Sequence, residues 1–265
     1  MKLKFHIINA FSCGRLTGNP AAVCVIDEWL DDDLMQAIAA QHNLSETAFV
    51  RVAGDDLAIR WFTPSVEVDL CGHATLASAW VLFNHHQPQA QMLELGSRSG
   101  PLRVRRVEHA SGEALIQLDF PRREVAAIPM QAAVAQALGA EPRALWRSSD
   151  LIAEFADAAT VRDLKPDFTA MLRLEGRGLI ATAPGDDCDF VSRWFGPKVS
   201  VNEDPVTGSA HCSLVPLWSQ QLGKTQHHAR QLSSRGGELF CEQPGERVLI
   251  GGRAECYAEG EIYLS

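Results

Sequence analysis

The feature that most constrains this chain is an internal echo. Glu67, Gly72 and Ala74 return as Glu203, Gly208 and Ala210, all at a common offset of 136 residues. Each set opens an apolar segment at helical spacing: Cys71-Gly72-His73-Ala74 begins one, and Thr207-Gly208-Ser209-Ala210 begins the other. A repeat of this period implies two similar domains, each a sheet around a central helix. A helix start carries free N–H groups and a partial positive charge, and a glycine there lets a ligand approach the backbone. Two such ends aimed at one cleft would bind a carboxylate or an enolate-like anion. The plainer reading is that both glycines only ease tight turns into buried helices.

The rest of the pattern is mixed α+β with antiparallel strands, not a regular βαβ alternation. Short β-branched runs predict strands over 5–11, 22–26, 46–52 and around Leu57, Ile59 and Trp61, with turn chemistry at Gly18-Asn19-Pro20. Acidic residues at Asp31–Asp33, followed by Leu34 and Ile38 at helical spacing, predict a helix over about 32–42. Ala74–Phe83 and Ala210–Leu222 read as buried helices, the second closed by Gly223, and Met130–Leu138 as a helix closed by Gly139. Strands are expected over 92–120 and 178–183, a helical turn over 187–195, and short strands over 228–264. A domain boundary falls near Pro121, giving domains of 1–120 and 121–253.

Composition narrows the function classes. A net charge of −9 without a basic run argues against nucleic acid and anionic membrane surfaces as partners. No segment approaches the ~20 apolar residues of a membrane span. The N-terminal apolar run breaks too early for a signal peptide, so a cytoplasmic protein is expected. Seven scattered cysteines with no Cys-x-x-Cys pair suggest reduced thiols, neither a zinc ribbon nor a redox site. No bound metal is expected, because the Cys71/His73 and His211/Cys212 pairs have no familiar ligand spacing. There is no dinucleotide fingerprint, P-loop or Gly-x-Ser-x-Gly elbow, and no cofactor is expected.

Four residues could carry chemistry. Glu46, at the entrance to a strand in Ser45-Glu46-Thr47-Ala48-Phe49-Val50, is a carboxylate beside an apolar run, where desolvation raises a pKa; it also reads as an edge charge. His73 at a helix start is kept neutral by the positive helix end, or simply bonds a nearby loop. Asp204 could orient another catalytic group or satisfy turn N–H groups. Cys71, just before Gly72, could be an activated thiol or a core residue.

These residues sit in five blocks in order: Gly18-Asn19-Pro20-Ala21-Ala22-Val23, Ser45-Glu46-Thr47-Ala48-Phe49, Phe62-Thr63-Pro64, Cys71-Gly72-His73-Ala74-Thr75 and Glu203-Asp204-Pro205-Val206-Thr207-Gly208-Ser209-Ala210. By these blocks the chain resembles the phenazine-biosynthesis isomerase family, nearly end to end. The resemblance implies a fold similar to diaminopimelate epimerase, with two pseudo-symmetric domains, the terminal strand 254–265 returning to complete the first, and an active site in the cleft between them. It implies cofactor-free movement of a proton between carbons of a small carboxylate, and a homodimer. By the same resemblance Glu46 is the acid/base, with His73 and Asp204 beside it as catalytic residues. Asn19, Gly72, Gly208 and Ser209 then bind the substrate. Two other readings stand: a cysteine-dependent racemase using Cys71, whose second thiol is missing, and a non-catalytic small-molecule binder.

Overall fold

The computed structural model describes residues 1–110 and 112–264. They form two compact units, Met1–Asp119 with Gly251 onward, and Phe120–Ile250.

In the first unit β1 (Lys2–Ser12) pairs antiparallel with β2 (Asn19–Ile26). After α1 (Asp32–His42), β3 (Glu46–Ala53) returns parallel to β2. Then β4 (Asp56–Phe62) pairs antiparallel with β3, and β5 (Glu67–Val68) with β4. The chain next enters α2 (Gly72–Val81), which continues as a π-helical turn, Leu82–His86. β6 (Met92–Leu95), β7 (Leu102–Glu108) and β8 (Ala114–Pro121) complete an antiparallel run.

Strand alternation sorts the side chains of this sheet to two faces. Leu3, Cys24, Ile26, Phe49 and Phe62 pack with Met35, Ile38 and Ala39 of α1. Glu46 stands an odd number of residues from Phe49, so it faces the other side, where α2 packs on β1, β2 and β3. α2 is buried nearly all round, and its hydroxyls are satisfied internally: Thr75 donates to the Cys71 carbonyl at 2.6 Å and Ser78 to that of Ala74 at 2.7 Å. The acids of the first turn of α1 favour its positive end, and Asn43 closes the helix in the left-handed region, φ 50°.

The second unit repeats this order. β9 (Ala126–Ile128) and β10 (Ala144–Arg147) flank α3 (Ala132–Leu138), which Gly139 closes at φ 73°. β10 pairs antiparallel with β11 (Leu151–Glu154), and β11 lies parallel to β12 (Leu179–Pro184). Between them run α4 (Ala158–Asp163) and α5 (Phe168–Met171). β13 (Phe190–Gly196) and β14 (Val201–Asp204) follow antiparallel, then α6 (Gly208–Leu222). β15 (Gln226–Gln231) lies parallel to β13, and β16 (Gly237–Glu242) antiparallel to β15. Strand, antiparallel strand, parallel return, antiparallel strand, short strand and buried helix thus occur twice. α3, α4 and α5 cover one face, where Val134, Val161 and Met171 pack in one core with Phe195 of β13. On the other, Trp218 of α6 stacks on Phe190 and donates to Thr182 at 3.0 Å.

The echo of Glu67 and Glu203 now has a cause. Glu67 holds Arg60 of β4 by two bonds of 2.7 Å, and Glu203 holds Arg193 of β13 by bonds of 2.7 and 2.9 Å. The fork of each guanidinium matches its carboxylate bidentately. In both units the short strand before the buried helix is tied to its neighbour by the same pair.

Three sequence expectations need correction. Residues 187–195 are not a helical turn, because most of them belong to β13, all seven of whose residues are buried. A strand paired on both edges and covered on both faces loses its alternation, the signal that would mark it. α4 and α5 were not expected; they are short, with Asp157 and Asp167 accepting from Thr160 and Ala170 at their starts. The end of the chain is one 17-residue strand, β17 (Arg247–Tyr263), where short strands were expected. Gly251-Gly252 reads as a break but is a close approach: a Cβ on Gly252 would meet Phe11 Cδ1 at 2.4 Å. From Arg253 onward β17 pairs antiparallel with β1.

Candidate active site

Glu46 is the first residue of β3 and His73 the second of α2. Twenty-seven positions apart in sequence, they meet because α2 lies across the face of the sheet to which Glu46 points. His73 Nε2 lies 3.2 Å from Glu46 Oε2, with the His73 side chain 6% and the Glu46 side chain 18% exposed. On its other nitrogen, His73 Nδ1 is 3.5 Å from Cys71 Sγ. Burial pushes the His73 imidazole down to about 3, so it is neutral at physiological pH.

A neutral imidazole has one donor and one acceptor nitrogen. His73 Nε2 approaches the Glu46 carboxylate without forming a hydrogen bond, while Nδ1 is within hydrogen-bond reach of the Cys71 thiol. One ligand atom from each of Glu46, Cys71 and His73 lies within 4.8 Å of the other two, so the three residues are able to offer three ligands to a cation. Asn19, the first residue of β2, is fully buried and opposite Ala10 of β1.

In the second unit, the start of α6 is built differently. Thr207 donates to Asp204 Oδ2, and Gln231 of β15 grips both residues. Its Nε2 donates to the Asp204 carbonyl at 2.7 Å, and its Oε1 accepts from Thr207 N–H at 2.8 Å. Ser233 donates to the Pro205 carbonyl at 2.8 Å. Asp204, Thr207 and Gly208 are buried, and Ser209 is half-buried. His211 Nδ1 is 2.9 Å from the Thr207 carbonyl, which only accepts, so Nδ1 carries the proton. Burial, opposed in part by that bond, pushes His211 down to about 4.

The structure therefore brings Glu46 and His73 together, with Cys71 beside them, and sets Asp204, Gly208 and Ser209 on one loop and helix start. Sequence reading missed Gln231, the residue that shapes that loop. It carries no local signal, since a glutamine in a strand is ordinary until its partners are known.

A family model described as phenazine biosynthesis-like protein matches residues 8–260. The chain belongs to this family. An uncharacterised isomerase of Pseudomonas aeruginosa is 52% identical over the whole of both chains. A crystal structure of a phenazine-biosynthesis family protein from Enterococcus faecalis superposes with a TM-score of 0.95 at 46% identity, over the whole of both chains. A hydroxyproline epimerase from Agrobacterium vitis shares the fold alone, with a TM-score of 0.62 at 11% identity, covering 98% of this chain and 92% of that one. The phenazine biosynthesis-like family and these relatives place the chain among isomerases of the epimerase-like α+β fold. All seven cysteines are free thiols. Among the described residues no helix is long and apolar enough to cross a membrane.

Proposed function

We propose that this family member moves a proton between carbons of a small carboxylate, with Glu46 as the general acid/base and no cofactor. The observation that carries the reading is the contact of Glu46 with a buried, neutral His73 at the start of α2. The Glu46 carboxylate takes a proton from a carbon next to a conjugated acid, leaving a delocalised anion, and the resulting carboxyl returns the proton at a different carbon. Such proton transfer typically contributes 10²–10⁴-fold to a rate. His73 Nε2 lies beside the carboxylate at 3.2 Å, and the first-turn N–H groups at Gly72, which lack intrahelical acceptors, favour the anion.

The resemblance adds Asp204, Gly208 and Ser209 of the second unit and Asn19 of the first as substrate contacts. That the two sets act on one substrate in a cleft between the units is part of the proposal, as is a homodimer as the working form. Light scattering on the purified chain tests the latter.

The test of the reaction is solvent exchange. Small unsaturated carboxylates, a dihydro-hydroxyanthranilate among them, are incubated with the chain in D₂O and followed by NMR. Exchange or isomerisation that Glu46→Gln lowers by about 10²–10⁴-fold, without loss of folding, supports the proposal. Full activity in Glu46→Gln would sink it.

A second reading has its own observation, the 3.5 Å contact of Cys71 with His73 Nδ1, which suits a thiol base. Turnover of a chiral amino acid that vanishes in Cys71→Ser but survives in Glu46→Gln would favour it. A ligand that binds but exchanges no deuterium would mark a non-catalytic binder.

A further inference from the structure

Away from the residues of the candidate active site, the first unit gathers a second set of ligating side chains. His6 of β1, His85 of the π-helical turn and Glu259 of β17 each present one ligand atom, and the three atoms lie within 4.8 Å of one another. Glu259 is the direct cross-strand neighbour of His6, and its Oε2 is 3.6 Å from His6 Nε2. The His6 and His85 rings lie 4.8 Å apart, and His85 in turn meets the edge of Trp80. The hollow they line opens to solvent past Lys4 and Glu261, with His86 at its edge.

We propose that His6, His85 and Glu259 form a binding site for a borderline divalent cation of the zinc class. Two imidazole nitrogens and one carboxylate oxygen are a ligand set that zinc takes with three protein groups and a water in the fourth position. Ligand atoms about 2.0–2.2 Å from a tetrahedral zinc stand about 3.4 Å apart. The 3.6 Å between His6 and Glu259 needs almost no adjustment, and the exposed His85 closes the remainder by a side-chain rotation. The backbone is suited as well: a π-helical turn is rare, and frequently marks a functional position because it re-aims the side chains beyond it. Here it ends on His85 and His86.

The three ligands come from β1, from the turn after α2 and from the closing strand β17. A bound cation would therefore cross-link the last strand to the first strand and the central helix of its own unit. His6 Nδ1 is buried with no hydrogen-bond partner among the described residues. His6 thus lacks the outer-sphere acceptor that usually strengthens a metal-bound imidazole, and the expected affinity is about 10–100-fold weaker than with that partner.

Zinc chloride is titrated by calorimetry into the metal-stripped full chain at pH 7.5 with a phosphine reductant, and thermal unfolding is followed in parallel. Because Glu46, Cys71 and His73 offer a competing set, the titration is repeated in Cys71→Ser. The exposed thiols Cys13 and Cys256 are controlled in Cys13→Ser/Cys256→Ser. The expected result is one zinc per chain in all three proteins, with a rise in melting temperature. His85→Ala and Glu259→Ala, exposed and safe for folding, should each weaken binding by at least about 10–100-fold and abolish the rise. Absence of zinc binding overturns the proposal. So does binding that survives both His85→Ala and Glu259→Ala, or that is lost with the cysteines. None of these outcomes bears on the Glu46 exchange assay, so the two proposals fail separately.

Discussion

The two units carry the same order of elements but build their helix starts for different work. In the first, the start of α2 carries His73, which meets Glu46 from the strand beneath. In the second, β12 offers no carboxylate at its entrance: it begins Leu179-Ile180-Ala181, and all of these residues are buried. The start of α6 is instead locked by a network of Asp204, Thr207 and Gln231. The lesson is that a duplicated scaffold keeps its clamps, Arg60 with Glu67 and Arg193 with Glu203, while the side chains at its two helix starts diverge.

The largest effect should come from the clamps themselves. Arg193 is buried and also donates to the carbonyls of Val161, Arg162 and Leu164 at 3.0–3.2 Å, whereas Arg60 leans outward to the exposed Asp32. Arg193→Met should cost about 3–5 kcal/mol in urea unfolding, as expected when a buried charge pair loses a partner. Arg60→Met should cost clearly less, and equal costs would break the asymmetry.

Gln231→Leu comes next. It strips a buried acceptor from Thr207 N–H and should destabilise by about 1–3 kcal/mol. If the helix start it supports positions a substrate, KM should rise while the Glu46-dependent exchange step survives. A loss of kcat alone would put the network in the proton transfer instead.

A third test uses pH. His73 and His211 have pKa values held below the usual 6.5 by burial, so the unfolded chain binds protons that the folded chain refuses. Stability is then unaffected above about pH 6.5 and falls as pH drops from there toward the folded values. Each histidine should cost about 2 kcal/mol by pH 5. Melts at pH 7 and pH 5 should show a shallower loss in His73→Gln and in His211→Gln. An unchanged slope in either would show that its ring takes up a proton in place.

The smallest effect is expected at Cys71. With its thiol beside His73 and no role in the proposed proton transfer, Cys71→Ser should leave turnover within about tenfold, equivalent to about 1.4 kcal/mol. A larger loss would move the first unit's chemistry from the carboxylate to the thiol.

Much of the scaffold was readable in the chain itself. Helix starts and stops come from local chemistry: the acids before Leu34, Gly139 and Gly223 in left-handed closing positions, and the apolar runs after Gly72 and Gly208. Glu46 and His73 could be named as candidates because residue type and a helix start are local facts. Three features were not local. β13 is buried on both faces, so its burial hides its period. Gln231 matters only through a loop twenty-four residues away. The clamp of Arg193 was invisible because its carbonyl partners lie on a helix that short-range pattern did not reveal.

The sequence by itself determined the repeat, the two buried helices with their glycine starts, and the types of residue able to move a proton. Only the tertiary structure decided that Glu46 faces His73, that Glu67 and Glu203 hold arginines, and that His6, His85 and Glu259 converge. The physical reason is range. Dihedral preference, capping and hydrophobic period act over a few neighbouring residues and are written in order along the chain. Contact between side chains depends on which face of a sheet a helix covers, and that is settled when distant segments pack.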